Sequence, residues 1–183
     1  LINNAAINPN VDTDGLSSLG RLCDFSENVF QREVSVGLTG AINCGTVFGE
    51  EMDGNGSGNI LNIASDLSVI APSQFLYSRE KLPEQRQAKK PISYSVIKHG
   101  LIGVTKYLAT YFGSGNVRCN ALSPGGVFVD QPNEFIQKIE QLIPLGRMAE
   151  VDEYKGVIKF LCSDASKYMN GHNLVVDGGR SIW

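Results

Sequence analysis

Four short runs of strand-forming residues recur along the chain, and longer stretches of helical periodicity stand between them. The runs are Leu1-Ile2-Asn3, Asn59 to Ala64, Val117 to Leu122 and Asn173 to Asp177. The first helical stretch extends from about Glu27 to Met52 and ends at the glycine-rich segment Gly54 to Gly58. The second, Ser93 to Phe112, sets Ile97, Leu101, Val104, Leu108 and Phe112 at steps of three and four, an apolar stripe of helical period. Gly113 and Gly115 end it. The third, Val151 to Cys162, repeats the rule with Val151, Tyr154, Ile158 and Leu161. Strands that alternate with helices pair in parallel through right-handed crossovers, which predicts a doubly wound α/β sheet. Such sheets place chemistry beyond the carboxyl ends of their strands, so function is expected just after Asn3, Ala64, Leu122 and Asp177. With 183 residues, one domain over residues 1–183 is expected.

Charge and cysteine usage narrow the classes further. A net charge of -3 and a pI near 5.4 offer no electrostatic footing for nucleic acid or an anionic membrane. No apolar run is long enough to span a bilayer. Cys23, Cys44, Cys119 and Cys162 are scattered with no C-x-x-C pair. That pattern predicts reduced thiols and a cytoplasmic protein rather than a zinc site or a disulfide framework. The chain opens at Leu1 without an initiator methionine and reads as truncated. One segment departs from the rest: residues 77–91 are polar, punctuated by Pro83 and Pro91, and carry Arg79, Lys81, Arg86, Lys89 and Lys90 against Glu80 and Glu84. It reads as a basic insertion, because apolar elements resume directly after it.

Tyr94 and Lys98 lie four apart at the start of the second helical stretch, on one helical face. A free phenol titrates near 10, roughly three units above neutrality, and a neighbouring ammonium favours its ionised form. The pair is therefore expected to act as a general acid/base, with Lys98 lowering the tyrosine. Tyr77 and Lys81 share the spacing but fall in the proline-bounded basic segment, where a rigid site is hard to build.

Six elements, in order, resemble those of the classical short-chain dehydrogenase/reductase family. Asn3-Asn4-Ala5-Ala6 is similar to the N-N-A-G element after the fourth strand. Asn62-Ile63-Ala64-Ser65 resembles the end of the fifth strand, and Tyr94 to Lys98 followed by Gly100 to Thr105 resembles the active-site helix. Val117 to Gly125 resembles the sixth strand and its P-G turn, while Pro144 to Arg147 and Val176 to Gly179 resemble the closing segments. The resemblance implies a Rossmann fold, an NAD or NADP cofactor, a small-molecule substrate and a homodimer or homotetramer. It implies an oxidoreductase that interconverts an alcohol and a ketone. In it Tyr94 exchanges the proton, Lys98 holds the nicotinamide ribose and Ser65 holds the reacting oxygen. Asn3, Ala5 and Ala6 would lie along the adenosine side, and Pro124, Gly125 and Val127 near the carboxamide.

Four departures bear on that resemblance. The family's first three strands and glycine-rich phosphate loop have no counterpart before Asn3. Gly37 stands where the family has an asparagine that holds a water beside the lysine, so water is expected to fill the gap or to hydrate Lys98 directly. Val129 replaces a frequent threonine. The stretch from Ser65 to Tyr94 is longer than usual, and the basic segment is its excess, which suggests a substrate wall able to meet phosphate or carboxylate. With Gly125 to Phe128 and Trp183, these features resemble a subgroup tied to bacterial surface-sugar and flagellin-glycan biosynthesis. A phosphorylated or nucleotide-linked sugar is then the expected substrate. A catalytically silent subunit or regulator is the alternative.

Overall fold

The computed structural model describes residues 1–8, 20–80 and 82–183. Four strands, β1 (Ile2–Asn3), β2 (Gly58–Ile63), β3 (Val117–Pro124) and β4 (Asn173–Val176), form one sheet in that order. Every pairing is parallel, with Leu61 opposite Ile2, Val117 opposite Gly58 and Asn173 opposite Ala121. The middle strands read as apolar runs because helices cover them. Ile60, Leu61, Cys119 and Leu122 are fully enclosed.

Five α-helices are described: α1 (Glu27–Val34), α2 (Gly40–Gly54), α3 (Ile92–Tyr111), α4 (Asn133–Glu140) and α5 (Tyr154–Leu161). Helix α3 follows the expected stripe closely. Ile97, Leu101, Leu108 and Phe112 are buried, and Val104 packs against the same core. The expected first helix is present but divided. Between α1 and α2 lies a π-helical turn, Ser35–Thr39, in which the Gly40 N–H reaches back to the Ser35 carbonyl. Such single wide turns recur where a helix must re-aim its face. The third helix starts three residues later than expected, leaving Val151 exposed in a turn. Helix α4 was not signalled by the periodicity. Its eight residues follow Pro132 and bury Ile139 against Leu76, Ile143 and Met148.

A row of small residues explains how the long helices approach. Gly37, Ala41, Gly45 and Gly49 recur every four residues along the π turn and α2, so they share one face. A Cβ at Gly37 would stand 2.8 Å from Ile97 Cγ2, and one at Gly45 would stand 2.6 Å from Leu108 Cδ1. At Gly49 it would enter the Phe112 ring, with Cζ at 2.7 Å. Ala41 packs with Leu101. The stripe on α3 thus lies directly on a bare backbone surface.

The polar groups inside the strands are matched across elements. Asn62 of β2 accepts from Asn3 Nδ2 of β1 at 2.8 Å and donates to Thr105 Oγ1 of α3 at 2.9 Å. Thr105 in turn donates to the Leu101 carbonyl at 2.7 Å. Ser123 of β3 bonds Asn173 of β4 at 2.7 Å and Ser68 at 2.8 Å. Each of these buried strand side chains therefore keeps a partner, as burial demands. No described helix is long and apolar enough to cross a membrane.

Candidate active site

Ser65 lies two residues beyond Ile63, the last residue of β2, in extended backbone. Its hydroxyl accepts from the Leu67 N–H at 3.2 Å and donates to Asp66 Oδ1 at 2.8 Å. Tyr94 sits in the first turn of α3, which Pro91 precedes with its ring preset for helix entry. Lys98, one turn on, is 7 % exposed and donates to the Ile63 carbonyl at 2.8 Å. Its Nζ lies 5.7 Å from the Tyr94 ring centre. The ends of β2 and α3 thus bring Ser65, Tyr94 and Lys98 together.

A cavity of about 690 Å³ opens in front of Ser65 and Tyr94. Ser65, Tyr94, Pro124, Gly125 and Val127 all line it. Tyr154 of α5 steadies the Pro124-Gly125 turn, donating its hydroxyl toward the Gly125 and Val176 carbonyls at 3.2 Å each. Asn3 is turned elsewhere: its amide bridges to Asn62 and lies 3.5 Å from the Ala41 carbonyl, tying β1 to β2 and α2. Ala5 and Ala6 are exposed just beyond the carboxyl end of β1.

Burial dominates the electrostatics, and here one expectation is reversed. The Tyr94 phenol is raised above its ordinary value, first by desolvation; the Ser65 hydrogen bond pulls the other way. Lys98 does not enter the balance on the phenol, and desolvation pushes its own ammonium down to about 8. Tyrosinate and ammonium each lose hydration on burial here. The cost is relieved when the two charges appear together, so the pair shares a proton more readily than either group ionises alone. Ile97 packs where a side chain at Gly37 would stand, and Lys98 gives one of its three donors to the Ile63 carbonyl.

Three charged cavity residues were not singled out in the sequence, Lys90 being named there only as one of five cations of the basic segment. Asp66, 3 % exposed, holds Ser65 through Oδ1 and Arg180 through Oδ2 at 2.6 Å. Arg180, itself buried, reaches the cavity from beyond the closing glycines. Lys90 is the third. Asp66 adjoins Ser65 in sequence, a weak hint; nothing linked Arg180 to it across 114 positions. Within the basic segment, Gln87 is buried and closes the loop, accepting from the Arg79 N–H at 2.7 Å and donating to the Arg79 carbonyl at 2.8 Å. Lys89 pairs with Glu84 at 2.9 Å, and Arg86 points to solvent. Lys81 lies outside the described residues, and with it the Tyr77–Lys81 comparison. No cluster of three or more metal-ligating side chains occurs among the described residues.

Residues 82–181 match a family model described as enoyl-(acyl carrier protein) reductase, and residues 1–82 match one described as short chain dehydrogenase. The protein belongs to the short-chain dehydrogenase/reductase family. It is 28% identical over 173 residues to an NAD-dependent glycerol dehydrogenase of Listeria innocua, covering 92% of this chain and 62% of that protein. Over 125 residues it is 34% identical to the post-translational flagellin modification protein A of Campylobacter coli, covering 68% of this chain and 46% of that one. A short-chain dehydrogenase of Leptospira borgpetersenii, solved with bound NAD+, superposes with a TM-score of 0.83 at 32% identity, covering 99% of this chain and 64% of that structure. The chain therefore spans less than two thirds of the length of these relatives.

Proposed function

We propose that the protein is an NAD(P)-dependent oxidoreductase that interconverts an alcohol and a ketone on a polyol or sugar-like substrate. A phosphorylated or nucleotide-linked sugar is its finer target, in keeping with the likeness to a flagellin modification protein. The observation that carries this reading is the grouping of Ser65, Tyr94 and Lys98 at the carboxyl end of β2, with Ser65 and Tyr94 lining one cavity and the Lys98 ammonium 5.7 Å from the tyrosine ring centre. The donor set fits a nicotinamide nucleotide. Lys98 spends one of its three N–H donors on Ile63 and keeps two for ribose hydroxyls. Pro124, Gly125 and Val127 present backbone and apolar surface suited to a carboxamide ring.

The nicotinamide supplies or accepts the hydride when bound. The protein's residues do the rest. Ser65 orients the substrate oxygen, and its own direction is fixed by Asp66, which Arg180 clamps. As the phenolate, Tyr94 takes the hydroxyl proton during oxidation; as the phenol, it returns one during reduction. Lys98 stands close enough to offset the phenolate charge at that moment, in a site where few water dipoles can. Four free thiols support a cytoplasmic location. Val47 and Phe48 of α2 and Tyr107 and Tyr111 of α3 are exposed, which supports a homodimer or homotetramer built on these helices.

Full-length protein assayed with NAD+ and NADP+ over a polyol and sugar panel tests the reading. Tyr94→Phe should lower kcat/KM about 10²- to 10⁴-fold with the circular dichroism spectrum unchanged. A protein that binds neither dinucleotide, or a Tyr94→Phe variant with full rate, refutes it.

A further inference from the structure

The catalytic grouping uses one of the two buried lysines of the site. Lys90 is the other, and it is only 9 % exposed. It closes the basic segment directly before α3, and its Nζ stands 3.8 Å from the centre of the Tyr94 ring while donating to Asn8 Oδ1 at 2.8 Å. Its backbone is pinned as well, the N–H donating to Gln74 Oε1 at 2.8 Å. It therefore lines the same cavity as Ser65 and Tyr94 from a fixed position.

The formal charges lining that cavity, Asp66 and Asp130 against Lys90 and Arg180, balance in number but not pair by pair. Arg180 is neutralised by Asp66 in a buried ion pair. Lys90 has no carboxylate within ion-pair distance among the described residues; its partners are a neutral amide and a ring face. Asp66 and Glu33 favour its charge from a distance, while Lys98 and, above all, burial oppose it. A buried cation without a counter-ion is costly and is seldom kept unless something completes it. Of the three donors on the ammonium, the Asn8 bond takes one.

We propose that Lys90 is a substrate-specificity residue whose ammonium receives an anionic oxygen group, carboxylate or phosphate, carried by the substrate close to its reacting carbon. This rests on the oxidoreductase reading and assigns that site its substrate charge. The anchor lies beside the ring whose hydroxyl meets the reacting carbon, so the anion belongs to the body of the substrate rather than to a remote arm. It also singles out one cation of the basic segment: Lys89 is committed to Glu84 and Arg86 is solvated, whereas Lys90 faces inward.

The test compares dissociation constants of full-length protein, by calorimetry in the presence of dinucleotide, for three probes: D-glucitol, D-gluconate and D-glucitol 6-phosphate. Wild type should bind at least one anionic probe roughly tenfold or more tighter than glucitol, the size expected of one charge-assisted contact. Which of the two binds tighter separates carboxylate from phosphate. In Lys90→Met the anion-to-glucitol ratio should fall to near one, and Lys90→Arg should restore most of it. Equal affinity for all three probes in wild type, no measurable binding of either anion, or a ratio unchanged in Lys90→Met overturns the inference. So does an equal loss for all three probes in Lys90→Met, which would make Lys90 a support for Tyr94. Because binding is read rather than turnover, a protein that oxidises neutral polyols without anion preference would sink this inference and leave the oxidoreductase reading standing.

Discussion

Replacing Gly37 by alanine tests the bare-backbone contact between the π turn and α3. The added Cβ would stand 2.8 Å from Ile97 Cγ2, 3.5 Å from Cδ1 and 3.8 Å from Cγ1. Carbon atoms rest at about 3.5–4.0 Å, so the first contact is short by roughly 0.7 Å or more. Ile97 is β-branched inside a helix and has little rotameric freedom to yield. Overpacking of this kind costs about 1–3 kcal/mol. The change also removes glycine's backbone entropy, which returns about 0.5–1 kcal/mol. The net expectation is a loss of about 0.5–2 kcal/mol. Gly103→Ala is the control: it lies exposed in α3 with nothing within 4 Å of the new Cβ, so it should gain about 0.5–1 kcal/mol. Urea unfolding followed by far-ultraviolet circular dichroism gives both values. Ile97→Leu, which has no branch at Cβ, should rescue Gly37→Ala by about 1 kcal/mol in a double-mutant cycle. If Gly37→Ala stabilises as much as Gly103→Ala, or shows no coupling to Ile97, the account of the small-residue row is wrong.

Three further outcomes follow from the same chemistry. Arg180→Met leaves Asp66 as an unpaired buried carboxylate and should destabilise by about 3–5 kcal/mol, read as a lowered denaturation midpoint. Lys90 and Lys98 are both pushed down to about 8, so above that pH the unfolded chain holds more protons. Stability should then rise by about 1 kcal/mol per lysine between pH 8 and pH 9, having carried the full burial penalty below. The Cys119 thiol, raised to about 12, acts in the opposite sense above pH 9. The lysine contribution is therefore read as the difference in pH slope between wild type and Lys90→Met. Iodoacetamide should label exposed Cys23 and Cys162 in the native protein and Cys119 only after unfolding; native labelling of Cys119 would contradict its burial.

The sheet was legible because each strand is short, apolar and followed by a long stretch of different period, and parallel pairing is the economical way to join such units. Helix α3 was legible residue by residue because one stripe runs its whole length. Helix α4 was not, since eight residues with Phe135, Ile136 and Ile139 give too little period to separate from a loop. The π turn depends on a hydrogen-bond slip that no composition marks. At the site, the Tyr94–Lys98 spacing was visible but the sign of the phenol's shift was not, because charge proximity is written in the sequence and desolvation is not. The inward turn of Lys90 hangs on Gln74, Gln87 and Asn8, three polar residues whose partners only the fold reveals.

The clamp between Asp66 and Arg180 has a consequence for how the molecule is made. The carboxylate precedes β3 and β4 in the chain, and the guanidinium that neutralises it follows both. A nascent chain can pair β1 with β2 and β2 with β3, yet its cavity floor keeps an uncompensated negative charge until Arg180 has been made. A chain interrupted between β4 and Arg180 would therefore be felt at Ser65, far along the sequence from the break.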